Sequence, residues 1–308
     1  MFHVKQPEKA SSKDSFGMDT PLARELADLS ARRRVLEAVN IDFSGDTRIL
    51  TVSNQKGGVG KTTSAVNVAS ALAGLGAKVL VVDLDPQGNA STALGVPHNA
   101  DTQSIYDVLI DEVPLAEIVQ QSPEDVNLFC APSTIHLAGA EIELVAQVAR
   151  EHRLRRALEE YLVDNPMDFV IIDCPPSLGL LTINAFTAAN EVFIPIQCEY
   201  YALEGLSQLL GSIQMIQKHL NPGLHLSTIL LTMFDGRTRL AQQVADEVRT
   251  HFPDQVLDTV IPRSVRVSEA PSFGQTVIAY DGQSAGAVAY REAAVEIASR
   301  TAAQSKEK

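Results

Sequence analysis

The sequence predicts a doubly wound α/β fold, in which a mostly parallel sheet carries helices on both faces. Three observations predict it. Apolar runs alternate with helical stretches from Arg48 onward, the runs are rich in valine and isoleucine, and polar or turn residues bound each of them. Strands that are covered on both faces need nearly continuous apolar sequence of this kind, so we expect a buried parallel sheet at the centre.

Seven of these runs are predicted to be strands. In chain order they are RILTVS, KVLVVDLD, VNLFCAP, DFVIIDCPP, EVFIPIQ, LSTILLTMF and QVLDTVIP. Apolar residues recur at helical spacing between the runs, most clearly from Thr62 to Leu75, directly after the first run. We expect the last helix to end in an exposed, fraying tail, TAAQSKEK.

Composition divides the chain into three regions. Residues 47–303 hold all seven runs and are predicted to form one large domain. Residues 1–46 precede it as an N-terminal extension, of which the first 19 are polar and expected to be disordered. Residues 304–308 form a short tail.

The extension also contains a predicted amphipathic helix after Pro21. Its apolar positions recur at helical spacing on one face and are Leu22, Leu26, Leu29, Val35 and Leu36. We expect this helix to dock on its own domain or on a dimer partner. The basic run at 32–34 leaves a contact with DNA open as a second interpretation.

Charge and hydropathy exclude several classes of protein. The chain has 308 residues and a net charge of −13, so any contact with nucleic acid must come from a local basic cluster. No uncharged apolar run reaches about 18 residues, and the N-terminus has no apolar segment of a secretory signal, which predicts a cytoplasmic protein. Cys130, Cys174 and Cys198 lie far apart without CxxC spacing and are predicted to be buried small hydrophobes.

Residues 54–63, NQKGGVGKTT, form a glycine-rich loop with two lysines. The strict phosphate-loop pattern fails, because Gln55 stands where that pattern has glycine. The chemistry is retained, since three glycines let backbone N–H groups converge on phosphate oxygens at the start of a predicted helix. The competing interpretation is a glycine-rich turn that binds nothing. It requires the glycines, the Lys-Thr pair and the strand and helix context to occur together by chance.

Each loop residue can be given a role in binding ATP and Mg²⁺. Lys61 is predicted to contact the β- and γ-phosphates, and the Thr62 hydroxyl to bind Mg²⁺. Lys56 lies five positions before Lys61, and two lysines on one loop suggest two triphosphates; a solvated loop lysine is the alternative. The predicted nucleotide-binding residues of the loop are Lys56, Gly57, Gly58, Val59, Gly60, Lys61, Thr62 and Thr63.

Three carboxylates follow predicted strands. Asp83 and Asp85 end KVLVVDLD, and Asp173 lies near the end of DFVIIDCPP. Doubly wound sheets bind ligands at the carboxyl ends of their strands, where a carboxylate beside a phosphate loop can hold Mg²⁺ through water or orient the attacking water. A single strand-end aspartate is more often a helix cap or turn former, but three of them favour a chemical role.

Four segments resemble a known family: KGGVGKTT, DLDPQGNAS at 83–91, IIDCPPS at 171–177 and IPRSVRVSEAPSFG at 261–274. They are similar to the ParA, or Soj-type, chromosome and plasmid partition ATPases. This family is a branch of the deviant phosphate-loop ATPases, which also include MinD and the nitrogenase iron protein. The loop alone indicates only the superfamily, whereas the DPQGN and PRSVRVSEAPS segments indicate the partition branch. The resemblance covers about 47–300.

The resemblance implies a role for several residues. Lys56 would reach across a two-fold axis to the phosphates of the other subunit and so form an ATP sandwich dimer. Asp85 would orient the hydrolytic water, Asp173 would lie at the switch that senses the γ-phosphate, and both would hold Mg²⁺ through water. Pro262 and Arg263 would lie where the family holds the adenine.

The resemblance also implies partners. The ATP-bound homodimer would bind double-stranded DNA without sequence preference, and a ParB-type centromere-binding protein would stimulate its ATP hydrolysis. Repeated release and rebinding would segregate chromosome or plasmid DNA and associate this cytoplasmic protein with the nucleoid.

Two short basic segments are candidates for the contact with DNA. Arg237 and Arg239 are predicted to open the helix after LSTILLTMFDG, and Arg263 and Arg266 lie in IPRSVR. If these segments converge, they form a patch for DNA phosphates, with Arg237 and Arg266 as the predicted contacts. Unrelated surface arginines in local salt bridges are the competing interpretation.

Four other functions share parts of this pattern. A ParA-like ATPase that positions another cellular cargo shares every motif and is the main alternative. A MinD-like division-site regulator needs a C-terminal amphipathic helix with large apolar residues, which VEIASRTAAQSKEK lacks, so we expect no stable membrane association. An iron-protein reductase needs cysteines that hold a cluster between subunits. A ligase of the dethiobiotin synthetase kind would not require the DPQGN and SEAPS segments.

Overall fold

The computed structural model describes residues 20–200 and 202–304. The chain divides into two units, Met1–Ala38 and Val39–Lys308. The predictions for the first 19 residues and for the last four lie outside the described residues. No helix in the described part of the chain is long and apolar enough to cross a membrane.

The first unit contains the predicted helix of the extension, α1 (Pro21–Glu37). The Thr20 side chain caps its start by accepting a hydrogen bond from the backbone N–H of Ala23 at 3.2 Å. Pro21 occupies the first turn, where its missing N–H has no helical partner to lose. These local signals specify where the helix begins. Its docking on its own domain or on a dimer partner stays a prediction.

The second unit is built on one sheet, which has eight strands in the described residues. In chain order they are β1 (Arg48–Val52), β2 (Val79–Asp83), β3 (Gln120–Gln121), β4 (Leu128–Ala131), β5 (Phe169–Asp173), β6 (Glu191–Gln197), β7 (His225–Phe234) and β8 (Val256–Pro262). The spatial order is β3-β4-β2-β5-β1-β6-β7-β8, and every neighbouring pair except β3 and β4 is parallel.

The sequence predicted seven of these strands and missed β3. This strand consists of two glutamines that pair antiparallel with the edge of β4. A strand of two residues at the edge of the sheet covers little of the core, so it needs no apolar run. The predicted doubly wound, mostly parallel fold is confirmed.

Helices connect the strands and cover both faces of the sheet. They are α2 (Lys61–Gly74), α3 (Asn89–Ala93), α4 (Ile105–Ile110), α5 (Leu115–Ile118), α6 (Leu137–Glu143), α7 (Arg153–Asp164), α8 (Leu180–Ala188), α9 (Ala202–His219), α10 (Arg239–His251), α11 (Val265–Glu269), α12 (Val277–Tyr280) and α13 (Ala285–Gln304).

Alternate residues of the strands pack into different cores. Val79 and Val81 of β2 face one core, which α2 and α13 complete. Leu80 and Val82 face the opposite core, which includes residues of α7 and α8. A third core lies between β6, β7 and the helices α9 and α10. Because consecutive strand residues point to opposite faces, a strand that is buried on both sides must be apolar at every position.

The three cysteines are free thiols, and all three are buried. Cys130 lies on β4, Cys174 directly follows β5, and Cys198 directly follows β6. They are the buried small hydrophobes that the sequence predicts.

Candidate nucleotide site

The carboxyl ends of three neighbouring strands meet at one edge of the sheet. Val52 of β1 lies in register with Asp173 of β5, and Asp83 of β2 lies in register with the same residue. The loop that follows β1 is therefore beside both strand-end carboxylates, at the edge where doubly wound sheets bind ligands. The structure brings together the loop and the acidic residues that the sequence singled out.

The loop between β1 and α2 has the backbone shape of an anion-binding turn. Gly58 and Gly60 have φ values of 74° and 86°, in the left-handed region that favours glycine. Gly60 directly precedes α2, and no side chain caps that helix, so its first N–H groups are available to a ligand. A phosphate fits here, because the N–H groups and the helix dipole both favour negative charge.

Lys61 and Thr62 begin α2, and both side chains act on the carboxyl group of Asp173. Lys61 is only 8% exposed, and a lysine buried to this degree needs a negative group nearby. Asp173 is close enough for the Lys61 ammonium to act electrostatically on its carboxyl group. The first turn of α2 is thus positioned to contact a phosphate and a cation together.

Asp173 is the most unusual residue of the site. It is fully buried, and neither of its carboxylate oxygens has a hydrogen-bond partner in the described residues. Burial raises its pKa well above the ordinary value, the charge of Asp83 raises it further, and the nearby Thr62 hydroxyl lowers it only in part. A buried carboxylate without a partner is costly, and a bound cation would remove that cost. Oxygen ligands of this kind suit Mg²⁺.

Asp83 differs from Asp173 because its carboxylate is fully engaged. It accepts hydrogen bonds from the Ser91 N–H at 2.8 Å, the Ser91 hydroxyl at 2.7 Å and the Asp85 N–H at 3.2 Å. Burial raises its pKa to about 6, and the bonds from Ser91 oppose that rise. The turn-forming interpretation therefore applies to Asp83, which fixes the segment between β2 and α3.

Asp85 faces a cleft of about 400 Å³ at the same edge. The side chain is partly exposed and accepts a hydrogen bond from the Gln87 N–H at 3.0 Å. The same cleft is also lined by three residues that follow Asp173, namely Pro175, Pro176 and Ser177. A carboxylate that is open to such a cleft can contact water, as the predicted role requires.

Lys56 lies on the exposed side of the loop. Its ammonium group is 2.6 Å from Oε2 of Glu199, a residue that the sequence analysis did not single out. The two side chains are 40% and 46% exposed. The lysine therefore contacts an acid of its own chain that follows β6.

Three residues support the loop, of which Asn54 belongs to it, while Thr232 and Met233 lie far along the chain and were missed by the sequence analysis. Asn54, within the motif, donates to the Pro195 carbonyl at 2.9 Å and accepts from the Lys56 N–H at 3.0 Å. The Thr232 hydroxyl donates to the Val59 carbonyl at 2.8 Å. Met233 has a φ of 50°, a strained value for a residue other than glycine, and its terminal methyl group lies near Gly60. The only signal in the sequence is a threonine inside an apolar run.

Pro262 and Arg263 lie at the end of β8, next to the end of β7. The Arg263 N–H donates to the Phe234 carbonyl at 3.3 Å. Pro262 is partly buried and Arg263 is exposed. Their predicted contact with adenine stays a prediction, and their place at the carboxyl edge of the sheet is compatible with it.

The two arginines predicted to contact DNA follow neighbouring strands but are each paired with local acids. Arg237 binds Asp235 through two hydrogen bonds of 2.8 Å, which lower the pKa of Asp235 to about 2. Arg266 lies 3.3 Å from Glu269 and 3.4 Å from Asp281. Arg237 also precedes α10 rather than opening it, because Thr238 caps that helix. Both side chains are exposed, at 89% and 56%, so the acids do not shield them from a large ligand.

The fold and this loop define a phosphate-loop ATPase. A family model described as an AAA domain matches residues 47–226. The sporulation initiation inhibitor protein Soj of Bacillus subtilis is 54% identical over 82% of this chain and 98% of its own length. The chromosome partitioning protein ParA of Caulobacter vibrioides is 50% identical over 82% of this chain and 94% of its own length. The chain belongs to the ParA and Soj family of chromosome-partitioning ATPases.

Solved structures share the fold. A Mycobacterium smegmatis protein described as cobyrinic acid a,c-diamide synthase, with bound ADP and magnesium, is 40% identical and has a TM-score of 0.69, covering 81% of this chain and 93% of its own. The cell division ATPase MinD of Pyrococcus furiosus is 26% identical with a TM-score of 0.67, covering 82% and 99%. The predicted resemblance to the partition ATPases is confirmed by the relatives at about half identity.

Proposed function

We propose that this chain binds ATP and Mg²⁺ at the loop of residues 54–63, dimerises around the nucleotide, and hydrolyses ATP to segregate chromosome or plasmid DNA. The observation that carries the proposal is the buried carboxyl group of Asp173, whose oxygens have no hydrogen-bond partner in the described residues. It lies close to Lys61, the first residue of α2, and no side chain caps the first N–H groups of that helix. The first N–H groups of α2 suit a triphosphate, and the Asp173 carboxyl group suits a cation. Without a bound cation, burying this carboxyl group costs free energy of folding.

The residues present fit the cofactors. The backbone and side chains of 56–63 surround the phosphates, and Pro262 with Arg263 holds the adenine. Mg²⁺ is held by the Thr62 hydroxyl and, through water, by Asp85 and Asp173, and it supplies charge neutralisation at the β- and γ-phosphates. The similarity to a structure that contains ADP and magnesium supports this assignment.

Catalysis by this chain relies on positioning and charge. Lys61 neutralises charge that develops on the transferred phosphoryl group. Asp85 orients the attacking water from the cleft that it shares with Pro175 and Pro176. A change at the γ-phosphate is transmitted to this proline segment, because it follows directly from Asp173.

Dimerisation depends on the nucleotide. Lys56 reaches across a two-fold axis to the phosphates of the second subunit, so the γ-phosphate is part of the interface. The dimer then binds double-stranded DNA without sequence preference through Arg237 and Arg266, and a ParB-type partner stimulates hydrolysis. Residues 47–303 form the ATPase domain in this proposal, and the protein is cytoplasmic and associated with the nucleoid.

Two lysine variants test the proposal. Lys61→Ala should abolish ATP binding in calorimetry, because it removes the charge that lies beside the phosphates. Lys56→Ala should still bind ATP but fail to form dimers in sedimentation with a non-hydrolysable ATP analogue and Mg²⁺. Normal ATP affinity in the first variant, or an intact dimer in the second, refutes the corresponding assignment. Asp85→Ala should dimerise without hydrolysing ATP.

A further inference from the structure

The contact between Lys56 and Glu199 joins the loop to the segment that follows the neighbouring strand. β6 pairs with β1, so the chain leaves both strands at the same edge. The Glu199 N–H donates to the Gln197 carbonyl at 2.8 Å, and the Glu199 carbonyl accepts from the Ala202 N–H at 3.0 Å. The carboxylate is thus held on a turn between β6 and α9, 2.6 Å from the ammonium group.

We propose that Glu199 is a positioning residue, which holds Lys56 on its own subunit until the phosphates of a second subunit replace it. The inference rests on the proposed role of Lys56 across the dimer axis. Glu199 then sets the dimer equilibrium, because each subunit must give up this ion pair when the ATP dimer forms.

The geometry allows this exchange. The backbone of Lys56 is anchored by its hydrogen bond to Asn54, which is itself bound to the Pro195 carbonyl. The base of the side chain is therefore fixed, while four flexible carbons let the ammonium group move between acceptors. Since the pair is exposed, the contact is weak and reversible.

The direction of the effect follows from two consequences of the Glu199 charge. In the free subunit the carboxylate competes with phosphate for the same ammonium group. In the dimer the carboxylate has lost this cation and remains beside the loop that holds the triphosphate of its own subunit, where a further negative charge is unfavourable. Removing the charge therefore favours the dimer on both counts, whereas a variant that damaged the fold would weaken the dimer.

The test is the dimer dissociation constant of Glu199→Gln, measured by sedimentation in Mg²⁺ and a non-hydrolysable ATP analogue. We expect it to fall roughly two- to thirtyfold, because an exposed ion pair is weak and a two-fold dimer exchanges two of them. The gain should shrink at high salt, which screens exposed charges. Glu204→Gln, which neutralises an exposed carboxylate in the first turn of α9, is the matched control and should leave the constant unchanged.

The outcomes separate this inference from the proposed function. If Lys56→Ala dimerises like the unaltered protein, the role of Lys56 is wrong. If Lys56→Ala fails to dimerise but Glu199→Gln has an unchanged or higher dissociation constant, only the role of Glu199 is wrong. ATP affinity and thermal unfolding of each variant establish that it is folded.

Discussion

The hydroxyl of Thr232 donates a 2.8 Å hydrogen bond to the carbonyl oxygen of Val59, across 173 positions of chain. Thr232 is 2% exposed and Val59 is 1% exposed, so water cannot replace the bond. The end of β7 therefore supports the loop at the residue before Gly60, and Met233 packs near the same glycine. A residue that contacts no phosphate in our proposal thus shapes the place where phosphate binds.

Thr232→Val removes the hydroxyl and keeps the shape of the side chain. We expect a loss of about 1–3 kcal/mol in the free energy of unfolding, because the Val59 carbonyl stays buried without a donor. We expect ATP affinity to fall about tenfold as the loop loses its support. Urea denaturation measures the free energy of unfolding, and calorimetry measures the ATP affinity. Thr232→Ser keeps the donor and should restore both; an ATP affinity in Thr232→Val within twofold of the unaltered protein argues against the supporting role.

Asp173→Asn replaces a buried carboxyl group whose oxygens have no hydrogen-bond partner in the described residues. Without nucleotide, we expect the free energy of unfolding at pH 7 to rise by about 1–2 kcal/mol, because the raised pKa of the buried carboxyl group costs stability above its unfolded pKa and a neutral amide has no such cost. The increase in ATP affinity that Mg²⁺ provides should be lost. Denaturation and nucleotide titrations with and without Mg²⁺ measure these effects.

Asp254→Asn, at an exposed position, is the control for Asp173→Asn and should change neither property. A variant at 173 that is less stable than the unaltered protein, yet still gains affinity from Mg²⁺, would show that the carboxylate is not the cation site.

The Asp83 carboxyl predicts a dependence of stability on pH. Burial raises its pKa from 3.8 to about 6, so the folded protein keeps this proton over a range in which the unfolded chain has lost it. The stability that it contributes is fully present below the unfolded pKa and is lost as pH rises to about 6. The loss is about 3 kcal/mol for a shift of this size.

Asp83→Asn tests this dependence. Its unfolding free energy should decline less between pH 4 and pH 6 than that of the unaltered protein, by about 2 kcal/mol of the total loss, since the titration extends beyond both ends of this range. Urea denaturation at pH 4, 5, 6 and 7 gives both curves. If the unfolding free energies of the two proteins fall in parallel as pH rises, the pH dependence comes from a group other than Asp83.

Arg237→Glu combined with Arg266→Glu should weaken DNA binding about tenfold or more at low salt, because phosphate contacts by arginine depend on charge. The dimer formed with a non-hydrolysable ATP analogue should persist. Retardation of non-specific duplex DNA measures the first effect, and sedimentation measures the second. Retardation equal to that of the unaltered protein would assign both arginines to their local acids, Asp235, Glu269 and Asp281.

The strands and the loop could be predicted because their signals are local. Val79 to Asp83 is apolar at every position before its aspartate, and the glycines of the loop adopt the conformations for which glycine is needed. Strand β3 could not be predicted, since only its partner orders it.

The roles of single polar residues were harder to predict. Asp83 and Asp85 look alike in the sequence DLD, and only the position of Ser91 shows that Asp83 is engaged. Thr232 and Glu199 act on the loop from more than 140 residues away in the chain, as the separations of 173 and 143 positions show. No periodicity or motif connects such residues, because the fold alone brings them together.

The buried cysteines have a practical consequence for labelling. Burial raises the pKa of Cys174 to about 12 and of Cys198 to about 11, and it raises that of Cys130 well above its ordinary value. Maleimides react with the thiolate, so the native thiols should react slowly in the folded protein. A fluorophore attached to a single introduced cysteine, such as Glu204→Cys, could then report subunit exchange in the otherwise unaltered chain.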